Sequence, residues 1–317
     1  MAGVEQRNLG KSGLRVSLVG LGCNNFGGRI DAAASKPVIR KALDLGITLF
    51  DTADVYGNRG GSETILGEYL GKEREKVVLA SKFAMPMDEA GEQRGASRGY
   101  ILKAIQGSLK RLKTDYLDLY QLHTADPLTP IEETLRTLED LIRQGMVRYI
   151  GCSNLPAWQV VEAQWTAKSL GLGGFASIQD EYSLLVRGIE KELLPAAQKY
   201  GLGLLPYFPL ANGLLTGKYR RGAPMPEGAR LTKNKSRAEE VLTERNWSMV
   251  ERLEAFARQR EHTLLELAFS WLAAEPAVSS VIAGATKPEQ LEQNAAAVNW
   301  KLTPEEDAEV DWITTVA

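Results

Sequence analysis

Short runs of hydrophobic residues alternate along the chain with longer segments whose hydrophobic positions recur every three or four residues. The short runs are rich in β-branched residues, as buried strands are, and the longer segments have the spacing of amphipathic helices. Strands are predicted at residues 16–22, 48–51, 77–82, 117–123, 147–153, 177–181, 203–207 and 280–283. Strands that alternate with helices indicate a parallel sheet, and eight of them are the number that closes a (β/α)8 barrel.

Helix signals lie between these strands. Helices are predicted at residues 35–45, 130–143, 156–170, 189–200, 263–274 and 288–298. The second of them begins with a proline and has two glutamates in its first turn, which suits the amino-terminal end of a helix. Long connections are predicted at 85–98, after the third strand, and at 211–240, after the seventh. No linker-like segment interrupts the alternation, so residues 1–317 are interpreted as one barrel domain.

An open, doubly wound sheet is the alternative architecture. It normally carries a glycine fingerprint at its first strand-to-helix turn. That turn here reads GLGCNNFGG, with Asn25 at the position that requires the third glycine. The barrel is therefore the favoured prediction.

Composition narrows the possible functions. The net charge is only −2 and no long basic run is present, which argues against nucleic acid as a partner. Two cysteines, Cys23 and Cys152, do not make a disulfide framework and favour a reducing compartment. The amino-terminal residues lack an apolar signal sequence, and no run of about 18 apolar residues occurs. We expect a cytoplasmic protein without a membrane partner, and the oligomeric state stays undetermined.

Polar residues recur where the predicted strands end. They are Asp51, Lys82, His123, Ser153, Asn154, Gln179 and Tyr207, at or next to the last positions of successive strands, and Gly284 follows the last strand. Because the carboxyl ends of barrel strands meet on one face, where barrel enzymes have their active sites, we expect these residues to form one polar ring.

Asp51, Tyr56, Lys82 and His123 form the sharpest candidate group for catalysis. A lysine ammonium near a tyrosine favours the phenolate, so we expect Lys82 to lower the pKa of Tyr56, with Asp51 holding the lysine in place. A histidine can orient a substrate carbonyl by hydrogen bonding. Taken singly, each of the four has an ordinary structural interpretation. The chain has only one other histidine, His262 in a polar segment, which we expect to be solvated; two histidines so far apart predict no metal site.

Seven segments together resemble the aldo-keto reductase superfamily, in the bacterial and potassium-channel β-subunit-like branches. They are GITLFDTADVYG, VVLASKF, LDLYQLHTAD, GCSN, IQDEYSLL, YFPLANGLLTGKY and IAGATKPEQLEQN, in order along nearly the whole chain. The resemblance implies a (β/α)8 barrel that reduces aldehydes or ketones with NADP(H). It implies Tyr56 as general acid, supported by Asp51 and Lys82, with His123 orienting the carbonyl.

The resemblance also implies a cofactor site. Ser153, Asn154 and Gln179 would bond the nicotinamide carboxamide, Tyr207 would stack on its ring, and Lys218 and Arg230 would bind phosphate. The remaining implied cofactor residues are Gly22, Cys23, Asp51, Pro209, Leu210, Asn212, Gly213, Gly284, Ala285, Thr286, Lys287, Gln290 and Asn294.

Two departures from the superfamily pattern matter. Gly284 and Gln290 stand where the aldose reductase branch has Lys and Arg, so NADPH depends on Lys218, Arg230 and Lys287. The aromatic residue that usually follows the first strand is absent. The substrate pocket is therefore expected at Asn24, Phe26, Tyr56, Phe83 and His123, with the two phenylalanines replacing that aromatic wall.

Two other functions stay open at this point. One is a binding protein, a redox sensor or channel-associated subunit, that holds NADP(H) and turns over slowly. The other is a lyase that forms a Schiff base with Lys82, since barrels of this kind also host such lysines.

Overall fold

The computed structural model describes residues 3–315, and within them eight parallel strands form a nearly closed barrel. With two further strands at the amino-terminal end, the strands number ten: β1 (Gln6–Asn8), β2 (Arg15–Ser17), β3 (Val19–Gly22), β4 (Leu49–Asp51), β5 (Val78–Phe83), β6 (Leu117–Leu122), β7 (Val147–Ser153), β8 (Ser177–Glu181), β9 (Gly203–Tyr207) and β10 (Val281–Gly284), all within the described residues. The barrel order is β10-β3-β4-β5-β6-β7-β8-β9. A parallel bridge between Leu204 and Val278 brings β9 to the segment that precedes β10. The predicted (β/α)8 architecture is confirmed, and the open sheet is excluded.

The amino-terminal strands β1 and β2 pair antiparallel and stand outside the barrel wall. The amide of Lys11 donates to the carbonyl of Gly201 (2.8 Å), just before β9, and the Ser17 hydroxyl accepts from the amide of Thr48 (2.9 Å), just before β4. The hairpin therefore covers the amino-terminal end of the barrel. The strand predicted at 16–22 is in fact two strands, divided at Leu18, whose amide donates back to Glu5.

Helices surround the barrel. They are α1 (Ala32–Asp44), α2 (Tyr56–Tyr69), α3 (Arg98–Leu112), α4 (Ile131–Arg143), α5 (Ala157–Ser169), α6 (Leu193–Tyr200), α7 (Arg230–Lys233), α8 (Lys235–Val241), α9 (Glu244–Gln259), α10 (Leu264–Ala274), α11 (Pro288–Ala296) and α12 (Pro304–Thr315). Every predicted helix has a counterpart among them. Helices α2, α3, α9 and α12 were not predicted, nor were the short helices α7 and α8 inside the connection predicted at 211–240.

The apolar core has two parts. The larger part fills the space between the strands and the surrounding helices. A smaller cluster joins the hairpin residues Leu9 and Val16 to strand residues such as Leu49 and Leu119, so it fills the barrel near its amino-terminal end. The opposite end of the barrel interior is thereby left to polar side chains.

No helix among residues 3–315 is long and apolar enough to cross a membrane.

Candidate active site

A cavity of about 720 Å³ opens at the carboxyl end of the barrel. This size is within the ~300–1,000 Å³ of small-molecule sites. Most of the sequence-predicted site residues line it: Gly22, Asn24, Asp51, Tyr56, His123, Ser153, Asn154, Gln179, Tyr207, Pro209, Leu210, Asn212, Gly213, Lys218, Arg230, Gly284, Thr286, Lys287, Gln290 and Asn294. The polar ring expected from the strand ends therefore exists.

A buried ion pair lies at the base of the cavity. The Lys82 ammonium, which is fully buried, donates to Asp51 Oδ2 at 2.6 Å and to the carbonyl of Thr52 at 2.9 Å. The other carboxylate oxygen, Oδ1, accepts from the amides of Gln121 (3.1 Å) and Gln179 (3.0 Å). Such bonds offset the cost of burying the two charges and fix the position of the ammonium.

Tyr56 and His123 lie beside this pair. The Lys82 ammonium is 4.9 Å from the centre of the Tyr56 ring, and the rings of Tyr56 and His123 meet edge to face with centres 5.6 Å apart. Tyr56 begins α2, in the segment that follows β4, Lys82 is in β5, and His123 comes directly after β6. Three adjacent strands thus bring the four predicted catalytic residues together.

The electrostatics of Tyr56 differ from the expectation. Burial raises the pKa of Tyr56 above its ordinary value, and the nearby Lys82 ammonium opposes that effect without reversing it. Burial acts to lower the pKa of Lys82, but the Asp51 carboxylate and Tyr56 outweigh it, so the pKa of Lys82 is raised. The prediction that Lys82 lowers the pKa of Tyr56 below its ordinary value is therefore wrong. At neutral pH the phenol keeps its proton and the amine stays charged.

His123 is a neutral imidazole. Burial, followed by the charge of Lys82, lowers its pKa to about 3. Its Nδ1 atom is buried and has no hydrogen-bond partner within the described part of the chain. The ring lines the cavity, so it can offer a hydrogen bond there without introducing a second positive charge beside Lys82.

The ends of β6, β7 and β9 are tied together by Asn154. Its Nδ2 donates to the carbonyl of His123 (3.0 Å) and to Ser153 Oγ (3.0 Å), and its Oδ1 accepts from the Tyr207 hydroxyl (2.8 Å). Asn154 also has a positive φ of 56°. The Asn154 amide is thus used inside the protein, where it positions Ser153 and the ring of Tyr207 at the cavity.

Cationic side chains line the cavity farther from Tyr56 and His123. Arg230 donates to Asn25 Oδ1 (3.1 Å), and its guanidinium lies 5.2 Å from the centre of the Phe208 ring. A β-carbon on Gly213 would come within 2.9 Å of Lys218 Nζ, so the glycine makes room for that amine. Asn212 Nδ2 is buried and has no partner among residues 3–315, which leaves it free to donate.

Gln290 caps the start of α11, a role that the sequence did not indicate. Its Oε1 accepts from the amides of Thr286 (2.7 Å) and Lys287 (3.3 Å), which satisfies backbone donors at the start of α11. The expected contact between Gln290 and a nucleotide is thus limited to the remaining Nε2.

Some predicted residues do not line the cavity. Phe26 and Phe83 are fully buried in the core, where Phe83 packs on Tyr120, so they do not form the expected wall. Cys23 and Ala285 are also buried. Lys82 lies behind Tyr56 rather than at the cavity surface.

Four residues that shape the site were not predicted from the sequence. Asn25, Arg29 and Phe208 line the cavity, and Gln121 helps to hold Asp51. Gln121 was detectable as a polar residue within the predicted strand at 117–123. Arg29 gives no local signal, because an arginine in a loop resembles any solvated cation. His262 also differs from the expectation: it stacks on Trp300, with ring centres 4.1 Å apart.

The barrel and this group of a tyrosine, a buried lysine–aspartate pair and a neutral histidine define a class of barrel-fold oxidoreductases. Comparison with known proteins agrees, since the profile of the Aldo/keto reductase family matches residues 18–314. The chain belongs to the aldo/keto reductase family.

Relatives that match most of this chain have different names. A probable voltage-gated potassium channel subunit beta of Oryza sativa subsp. japonica is 39% identical over 95% of this chain and 94% of its own length. An uncharacterized oxidoreductase, YrpG, of Bacillus subtilis (strain 168) is 38% identical over 95% of this chain and 93% of its own. L-glyceraldehyde 3-phosphate reductase of Escherichia coli O157:H7 is 35% identical over 97% and 92%.

Proposed function

We propose that the protein reduces small aldehydes or ketones to alcohols with NADPH and uses Tyr56 as the general acid. The observation that carries this proposal is the buried Lys82 ammonium, bonded to Asp51 at 2.6 Å and lying 4.9 Å from the centre of the Tyr56 ring. A proton donor next to a fixed positive charge suits a step in which the donor becomes an anion.

Four side chains of this protein have separate roles in the proposed reaction. His123 Nε2 hydrogen-bonds the substrate carbonyl and polarises it, and Tyr56 Oη gives its proton to the carbonyl oxygen. Lys82 stabilises the resulting phenolate until the hydroxyl regains a proton from solvent, and Asp51 keeps the ammonium in place. The hydride for the carbonyl carbon would come from NADPH when it is bound, because no side chain can supply one.

The cavity has the chemistry for such a cofactor. Gln179 Oε1 and Ser153 can bond a carboxamide, and the Tyr207 ring, fixed by its bond to Asn154, offers a flat face to a nicotinamide. Asn212 Nδ2, which is buried and unpartnered, and the cations Lys218, Arg230 and Lys287 suit the phosphates. We propose NADPH over NADH because Lys287 adds a cation beyond those near the middle of the cavity.

Tyr56→Phe tests the acid role. We expect kcat for a good carbonyl substrate to fall by about 10²- to 10⁴-fold, the usual contribution of a general acid, because the phenylalanine ring has no proton to give. The dissociation constant for NADPH, measured by fluorescence titration, should stay near the wild-type value.

Tyr200→Phe is the matched control. It removes a phenol that accepts a bond from Trp165 on the outer surface, and its kcat should equal that of the wild type. Unchanged kcat in Tyr56→Phe would contradict the proposed role.

A second candidate function rests on the relative described as a probable channel subunit. In that case the protein binds NADP(H) and reduces carbonyl compounds only slowly. Multiple-turnover kinetics with a panel of carbonyl compounds would measure that rate. A Schiff-base lyase is disfavoured, because the raised pKa of Lys82 keeps its amine protonated and therefore not nucleophilic.

A further inference from the structure

Arg29, Lys218 and Arg230 form a cluster of three cations on the cavity wall, here called the cation cluster. Within residues 3–315 none of the three makes an ion pair, although Glu227 lines the same cavity. Arg237, in contrast, is paired with Glu181 (3.1 Å) and Glu240 (2.8 Å).

The cluster is electrostatically unfavourable without an anion. Burial lowers the pKa of Lys218, and the charges of Arg29 and Arg230 lower it further. The pKa of Arg230 is also lowered, mainly by burial and then by the charge of Arg29. Like charges held together without a counter-charge are typical of a site whose anion comes with the ligand.

Asn25 holds the two arginines in place. Its side chain is buried, and its Oδ1 accepts from Arg230 (3.1 Å) and, more weakly, from Arg29 (3.5 Å). Its Nδ2 donates to the carbonyl of Ala285 (3.2 Å) after β10. A β-carbon on Gly284 would come within 2.9 Å of Asn25 Nδ2, so this crossing requires the glycine. One amide therefore joins the loops that follow β3, β9 and β10.

Arg29 makes a second contact across the cavity mouth. Its Nη2 donates to the carbonyl of Gly228 (3.3 Å), in the loop that leads to Arg230. A guanidinium has five N–H donors, so donors remain for a ligand after these two bonds. Planar guanidinium groups match phosphate oxygens in pairs, which a lysine in the same place does not.

The position of the cation cluster identifies which anion it fits. On one side Arg230 lies over Phe208, next to Tyr207 and the catalytic group. On the other side Asn25 bonds Ala285, just before Thr286, Lys287 and α11. The cluster thus lies between the proposed nicotinamide end and the proposed adenosine end of the cavity.

We propose that Arg29 binds the diphosphate bridge of the dinucleotide together with Lys218 and Arg230, and that Asn25 is the positioning residue that orients the two arginines. This inference rests on the proposed function. The diphosphate is common to NADPH and NADH, so Arg29 contributes to affinity for both and not to the choice between them. Lys287, outside the cluster, is left to interact with the 2′-phosphate.

Arg29→Met tests the assignment by equilibrium titration of protein fluorescence, without turnover. We expect the dissociation constants of NADPH and NADH to rise by the same factor, about 10- to 100-fold, as for the loss of a charge-assisted contact. Inorganic pyrophosphate should raise the melting temperature of the wild type and raise that of Arg29→Met much less. Lys287→Met should weaken NADPH and leave NADH unchanged.

Asn25→Asp tests the positioning role with almost no change of shape. A carboxylate there would pair with both arginines and offset one of the three positive charges of the cation cluster, so both dinucleotides should bind more weakly and with a smaller dependence on salt. A residue that only packs would not change the salt dependence. Arg15→Met, an exposed arginine on the hairpin at the opposite end of the barrel, is the control and should bind both dinucleotides like the wild type.

The possible outcomes separate the two proposals. Unchanged affinity in Arg29→Met, or a loss confined to NADPH, would overturn the diphosphate assignment while the proposed function stands. A wild-type protein that binds neither dinucleotide would overturn the proposed function, and pyrophosphate stabilisation alone would then decide whether the cation cluster is an anion site.

Discussion

Asp54 is buried two residues before Tyr56, and neither oxygen of its carboxylate accepts a hydrogen bond from another side chain in the described part of the chain. Burial and then the neighbouring carboxylate of Glu63 raise its pKa to about 8, although Arg111 and Lys82 oppose the shift. Glu63 is itself satisfied by Ser81 (2.5 Å) and Arg111 (2.7 Å). At neutral pH, Asp54 is therefore a neutral acid buried close to Tyr56 and Lys82.

Asp54→Asn should stabilise the protein in a pH-dependent way. Between about pH 4 and pH 8 the unfolded chain releases a proton that folded Asp54 keeps, so the wild-type free energy of unfolding falls as pH rises, by about 1.4 kcal/mol per unit. Asparagine does not titrate. The stability of the variant relative to the wild type, measured by urea unfolding, should thus increase by about 3 kcal/mol from pH 5 to pH 7.

Asp44→Asn is the control, because Asp44 is exposed at the end of α1. Its stability relative to the wild type should change little with pH. If the free energy of unfolding of Asp54→Asn relative to the wild type also stays constant with pH, Asp54 is ionised in the folded protein.

At the scale of elements, the start of α2 has an unusual backbone. Gly57, Asn58 and Arg59 have positive φ values of 66°, 60° and 66°, so a short left-handed turn separates Tyr56 from the regular helix. Non-glycine residues in this conformation cost about 1–2 kcal/mol each. The turn sets the direction in which the chain leaves Tyr56, which connects local strain to the position of the phenol.

Gly57→Ala should disturb this turn. The added β-carbon would come within 2.4 Å of the Phe26 carbonyl oxygen and 2.6 Å of the Ser62 amide, two backbone atoms that cannot easily move. We expect a loss of about 3 kcal/mol in unfolding free energy and a lower kcat, because Tyr56 is the preceding residue.

Gly71→Ala separates the effect of a positive φ from the effect of crowding around the added β-carbon. Gly71 also has a positive φ, of 44°, but an added β-carbon there meets no atom within 4 Å. Its cost should be about 1 kcal/mol with kcat unchanged. Equal effects of the two substitutions would show that crowding around Gly57 is unimportant.

In the whole molecule, the amino-terminal end of the barrel contributes to stability, whereas the carboxyl end holds the cavity. At the amino-terminal end, Arg7 of the hairpin donates to the carbonyls of Ala273 (2.8 Å) and Val278 (3.1 Å), which fastens β1 beneath α10 and the approach to β10. The cavity with Asp51, Tyr56 and His123 lies at the other end. In barrels of this kind, residues at the amino-terminal face mainly support stability.

Arg7→Met should reduce stability without reducing activity. Two carbonyls lose a donor, which predicts a loss of about 2 kcal/mol in unfolding free energy, measured by urea denaturation. The kcat/KM for a carbonyl substrate, measured well below the melting temperature, should match the wild type. A large drop in kcat/KM would mean that the ends of the barrel are coupled more strongly than the structure indicates.

Much of this architecture is predictable from local pattern. The eight barrel strands were predicted because parallel strands buried on both sides form continuous apolar runs, and the helices with the clearest end signals were predicted as well. The hairpin was missed because β1 and β2 have three residues each, too few for a period to show. Helix α2 was missed because its glycines resemble a loop.

The sequence by itself determined the barrel and the order of its polar strand ends, because hydrophobic periodicity and strand-end position are local properties of a chain. It also determined the four catalytic candidates, through motifs. Only the tertiary structure decided that Phe26 and Phe83 belong to the core, that burial outweighs Lys82 at Tyr56, and that Asn25 joins Arg29 to Arg230. Those outcomes depend on burial and on contacts between residues up to 205 positions apart, and long-range proximity leaves no periodic trace in a single sequence.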